Sequence, residues 1–116
     1  MNSSIQLKNL LPETGRAPDR QSDLFALISL GVLESLSNGL ISATDAVRLF
    51  FNAENCLFVQ KFMGQKIADE VMSHGVQLPD LFEALPTEEA HREFRHELAT
   101  MHSLCLKLLE EERLAA

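Results

Sequence analysis

The densest group of ionisable side chains lies between residues 88 and 97, where Glu, Arg and His alternate along one segment. It holds two Glu-x-x-His spacings, Glu88 with His91 and Glu93 with His96. In di-iron helical bundles, residues at this spacing project together from one turn of a helix and ligate the metal. One hypothesis is therefore a metal-binding or small-ligand-binding helical bundle that uses Glu and His residues of the last helix.

Helical positions narrow the candidate ligands of such a site to Glu88, His91 and His102. The two histidines differ by about 20° around a helix and flank its apolar stripe. A complete site would need carboxylates from a second helix, such as Glu54 or Glu70. Charges that alternate along a helix are more typical of a solvated face. The sequence therefore favours no metal and no cofactor, with the metal site as the alternative.

Nucleophilic catalysis has one candidate pair, His102 and Cys105, which lie three residues apart. No third group that would orient the histidine is evident, and Cys105 falls in an apolar stripe where a thiol is normally buried and inert. The five glycines form no phosphate-binding pattern. We predict that the protein is not an enzyme and that Cys56 and Cys105 are buried free thiols.

The elements that carry these residues read as helices. The chain has 116 residues, of which 46% are hydrophobic and 23% charged, as expected for one soluble globular domain. Apolar residues recur at helical spacing, and no strand-like alternation extends beyond about five residues. The sequence predicts an all-α fold, specifically a small antiparallel helical bundle.

Three main helices and one short helical turn make up the predicted bundle. Asn38-Gly39 predicts a left-handed stop to the first helix, with Leu40 folding back on its last turn. Ser42 and Asp45 predict a capping box at the start of the second helix. The predicted ranges are 20–38, 43–74 and 87–114 for the helices and 79–84 for the turn.

The second predicted helix is the longest. After its capping box, no stop signal occurs before His74-Gly75. We therefore expect residues 43–74 to form one continuous or mildly kinked helix, and a break near Asn52 is the alternative. Residues 1–19 are predicted to be a flexible arm, and residues 20–116 the single helical-bundle domain.

The predicted long helix has two apolar faces. Phenylalanines dominate one of them, and the other apolar residues form the second. A single copy offers too little surface to cover both faces, so the sequence predicts a homodimer. A monomer in which the arm and the connecting residues 78–85 cover the helix is the alternative. We predict a non-enzymatic module for protein–protein interaction or regulation. Its candidate interface residues are Phe50, Phe51, Phe58 and Phe62.

Charge and hydropathy argue against nucleic acid and membranes as partners. With 17 acidic and 10 basic residues the net charge is −7, which opposes binding to nucleic-acid phosphates. The densest apolar stretch, residues 24–33, is about half the length that spans a bilayer. The first residues show no secretory signal, so we expect no membrane association and a cytoplasmic location.

Overall fold

The computed structural model describes residues 4–11 and 18–115, and every regular element in these ranges is helical. The all-α prediction is confirmed. The described part contains six α-helices, so the predicted count of three main helices with one short turn is not confirmed. The elements are α1 (Leu7–Leu10), α2 (Pro18–Ser37), α3 (Ala43–Leu49), α4 (Ala53–Phe58), a π-helical segment (Val59–Met63), α5 (Lys66–Ala84) and α6 (Thr87–Ala115).

Three long helices form the main body. Helix α6 packs along both α2 and α5, and the shorter elements lie between and beside them. The core includes Phe25 of α2, Val71 of α5 and Met101 of α6, all fully buried. Helices α2 and α6 lie close to the predicted ranges 20–38 and 87–114, because their ends are marked by local stop and start signals.

The predicted continuous helix over residues 43–74 is wrong. It is interrupted between α3 and α4, and again between the π-helical segment and α5. At the first break the Asn52 side chain accepts a hydrogen bond from the Asn55 amide at 3.0 Å and begins a new helix. At the second break Gly64 adopts a left-handed conformation with φ of 61°. Helical periodicity alone does not show where a capping residue or a left-handed glycine interrupts a helix.

Helix α5 continues through the predicted stop at His74-Gly75 and includes the predicted separate turn at 79–84. Gly75 is buried, and the ring of Phe51 occupies the space that a Cβ would fill. This glycine therefore allows close packing and does not end the helix. Pro79 lies inside α5, where it removes one backbone hydrogen bond.

Residues 4–11 lie against the helical body. Leu7 and Leu11, at either end of the short helix α1, are completely buried in the core. Part of the predicted arm therefore docks through its apolar residues. Residues 1–3 and 12–17 lie outside the described residues, so the flexibility of the arm stays a prediction.

A buried amide holds this segment in place. Asn55 Nδ2 donates to the carbonyls of Ile5 and Phe50, each at 2.8 Å, and Asn55 Oδ1 accepts from the Leu7 amide at 3.1 Å. The Ile5 amide donates to the Leu49 carbonyl at 2.8 Å. All three hydrogen bonds of the Asn55 side chain go to backbone groups, which satisfies it in the interior.

Within the described residues, no helix combines the length and the apolar character that crossing a bilayer requires.

Candidate binding groove

The corner between α2 and α3 is held by hydrogen bonds at both helix ends. The Leu40 amide donates to the Ser35 carbonyl at 2.9 Å, and the Gly39 amide donates to Leu36 at 3.2 Å. Gly39 has φ of 71°, as this helix ending requires. The prediction that Leu40 folds back on the last turn is wrong for its side chain, which is 75% exposed.

The predicted capping box at the start of α3 is confirmed. Asp45 N donates to Ser42 Oγ at 3.0 Å, and Ser42 N donates to Asp45 Oδ2 at 3.1 Å. Hydrogen bonds from Ser42, together with the charge of Arg48, hold the pKa of the Asp45 carboxyl below its usual value. The Asp45 carboxylate is therefore already engaged within the chain.

An open depression of about 850 Å³, which we call the corner groove, lies beside this corner. Four stretches of chain contribute to it, namely the end of α2, the corner with the start of α3, the end of α5 and the first turns of α6. Its size falls in the range of ligand-binding clefts. The large aliphatic and aromatic residues of its lining are Leu36, Leu40, Ile41, Phe82, Phe94 and Leu98.

Aromatic contacts shape the wall formed by α5 and α6. The ring centre of Phe82 lies 5.2 Å from that of Phe94 and 5.3 Å from that of His91, and the Phe82 and His91 rings are inclined at 72°. Phe82 remains 40% exposed. The wall therefore presents an accessible aromatic face to anything that enters the groove.

Arg95 connects the corner groove to a second depression of about 440 Å³ between α2 and α6. Ser37, Arg95 and Leu98 line both, and the second extends along α6 to His102. Neighbouring depressions that share lining residues provide a longer surface than either alone. We call the second one the seam depression.

The structure does not bring Glu88, His91 and His102 together. His91 contacts Phe82, whereas His102 lines the seam depression, about 16 Å further along the helix axis. Glu54, offered as a further ligand, forms an ion pair with Lys8 at 2.7 Å. Among the described residues, no three His, Cys, Asp or Glu side chains are grouped as a metal ion would require.

The four candidate interface phenylalanines separate into two pairs. Phe50 and Phe51 are buried in the core of their own chain, with ring centres 5.1 Å apart, and are not available to a partner. Phe58 is half-buried and lies 5.3 Å from Phe62, which is 71% exposed. The interface therefore stays a prediction for Phe58 and Phe62 only.

Neither cysteine has the surroundings of a nucleophile. Burial raises the pKa of the Cys105 thiol to about 11, and the nearby Ser29 hydroxyl only partly opposes this shift. That hydroxyl is itself buried and has no partner at normal hydrogen-bond geometry. Cys56 is half-buried, and its pKa is raised by burial and by the charge of Asp69. His102 is exposed, so it does not share the environment of Cys105.

Comparisons with protein families, with curated proteins and with solved structures found no match to this chain. The function must therefore be inferred from the geometry of its surfaces. Sequence reasoning had not singled out Leu40, Phe82 or Arg95 as site residues. They come from three separate elements, and no local pattern relates them.

Proposed function

We propose that the protein is a non-enzymatic interaction module whose corner groove binds an amphipathic helix of a partner protein. The observation that carries this proposal is the exposure of two large apolar side chains, Leu40 and Phe82, in the lining of the corner groove. Exposed apolar side chains that surround a groove are typical of protein-binding sites. A helix whose apolar face enters such a groove is a common recognition mode.

The rigidity of the groove supports the proposal. The Gly39 turn and the Ser42–Asp45 capping box hold the corner, and the Phe82–Phe94 contact holds the opposite wall. A surface whose shape is fixed before binding loses less conformational entropy when a partner binds. The groove therefore suits a partner that orders on binding while the protein itself stays unchanged.

Selection from a displayed library of helical peptides tests this function. The expected result is enrichment of peptides with apolar residues at positions i, i+3 or i+4, and i+7. Leu40→Asp should weaken their binding more than about tenfold, because the charge would be buried under the peptide. The matched control is Leu27→Asp, since Leu27 is 57% exposed and lines neither depression.

Two outcomes contradict the proposal. The first is that no helical peptide is enriched on the wild-type protein. The second is that Leu40→Asp and Leu27→Asp affect the selected peptides equally, because the peptides would then bind elsewhere.

The predicted homodimer concerns a different surface. Phe58 and Phe62 lie on α4 and the π-helical segment and do not line the corner groove. We propose that a second copy covers this pair, and that the partner helix and the second copy bind independently. A cytoplasmic location and the absence of a nucleic-acid partner stay predictions; the net charge of −7 supports the latter.

A further inference from the structure

We propose that the partner helix carries a carboxylate that pairs with Arg95. This inference rests on the proposed function and specifies that the bound helix carries a negative charge. Arg95 lines both the corner groove and the seam depression, so it lies where the two meet; Glu34, Ser37 and His102 also line the seam depression. A guanidinium there is well placed to receive a carboxylate from a helix that lies across both.

Arg95 has no acidic partner on its own helix. Side chains three or four residues apart are neighbours on a helix surface. Arg92, by contrast, has Glu88 and Glu89 at these spacings. The residues at the corresponding positions around Arg95 are His91, Arg92, Leu98 and Ala99.

The acids of the facing elements do not pair with it either. Asp45 is engaged by Ser42 and Arg48, and Glu34 accepts a hydrogen bond from Asn38 Nδ2 at 2.8 Å. Among the described residues, Arg95 forms no ion pair with a side chain of this chain. Its charge is therefore free to be met by a ligand.

Glu83 would determine in which orientation the partner helix binds. It lies near the end of α5 and lines the corner groove, so it disfavours a second carboxylate on that side. A partner helix with its acid near Arg95 and none near Glu83 would bind in one orientation. The net charge of −7 would repel an acidic partner at a distance, but salt screens that repulsion beyond about 8 Å.

The combined length of the corner groove and the seam depression determines how long a partner helix they can hold. From His91 to His102 helix α6 rises by about 16 Å, which corresponds to about three helical turns. A partner segment of about eleven residues would therefore extend along both depressions.

The experiment uses the tightest peptide from the selection described above, synthesised with its acidic residue and with Gln in its place. Both peptides are titrated against the wild-type protein, Arg95→Gln and the control Arg92→Gln by fluorescence anisotropy. The acidic peptide should bind the wild type and Arg92→Gln about fivefold more tightly than the Gln peptide. The two peptides should bind Arg95→Gln equally.

Each outcome separates this inference from the proposed function. Selected peptides without an acid, or equal binding of both peptides to the wild type, overturn the pairing with Arg95 and leave the groove function standing. Loss of the acid preference in Arg92→Gln assigns the effect to general charge and also overturns the pairing. Failure to select any helical peptide contradicts the groove function itself. Gln is a good helix former, so both variants should keep α6 intact.

Discussion

At the scale of single residues, Gly75 shows how one position can be misread from sequence. A glycine after His74 is a normal stop signal, yet here it allows the Phe51 ring to contact the backbone of α5. That contact places an aromatic ring from the α3–α4 connection against the middle of a long helix. Gly75 is therefore a packing residue.

Gly75→Ala should lower the free energy of unfolding by about 1–3 kcal/mol, because the added methyl group would overlap the Phe51 ring. Urea unfolding followed by circular dichroism measures this change. The matched control is Gly31→Ala in α2, where no atom lies within 4 Å of the added Cβ. Alanine should stabilise that helix by up to about 1 kcal/mol. Equal effects at the two glycines would contradict the packing role of Gly75.

At the scale of elements, the connection between α3 and α4 determines how the first part of the chain is organised. Asn52 begins α4, and Asn55 one turn later bonds to the backbone at both Ile5 and Phe50. Residues 52–55 thus begin a new helix after α3 and also bind the N-terminal segment. A continuous helix would place neither amide in this position.

Asn55→Ala should release residues 4–11 and lower the free energy of unfolding by about 3 kcal/mol. The reason is that the buried Phe50 carbonyl, the partly buried Ile5 carbonyl and the Leu7 amide would lose their partner. Hydrogen exchange should show the Leu7 amide losing protection. Asn52→Ala is the control, because it removes a helix cap worth about 1 kcal/mol and leaves the three side-chain hydrogen bonds of Asn55 in place. A protected Leu7 amide in Asn55→Ala would contradict this role.

At the scale of the whole molecule, the breaks in the 43–74 region change how its apolar surface is covered. A straight helix would have exposed a row of phenylalanines, whereas the folded-back segments bury Phe50 and Phe51 within one copy. The remaining exposed aromatic of that region is Phe62, next to Phe58. The surface left for a second copy is accordingly smaller than the sequence pattern indicated.

Phe62→Ser should convert the predicted homodimer into monomers. In sedimentation velocity at micromolar concentration, the wild type should give a species of twice the 13.0 kDa chain mass, and the variant a 13.0 kDa species. Leu27→Ser changes an exposed apolar residue outside this pair and should leave the mass unchanged. A wild type that sediments at 13.0 kDa would contradict the dimer.

Local signals in the sequence were sufficient for the all-α class, for helices α2 and α6, and for the Ser42–Asp45 capping box. Each of these depends on interactions within a few residues, through helical periodicity, caps and turn glycines. The same signals could not choose between a continuous helix and a break near Asn52, since an Asn can occupy a helix interior or a cap.

The tertiary structure alone decided the contact of Phe51 with Gly75, the docking of Leu7 beside Asn55, and the corner groove. These features join residues that are far apart in sequence, from elements whose relative positions depend on packing of the whole core. Periodicity indicates that a residue is apolar or faces inward, but not which distant side chain it meets. Leu40 and Phe82 could therefore be assigned to one groove only after the helices had been placed in three dimensions.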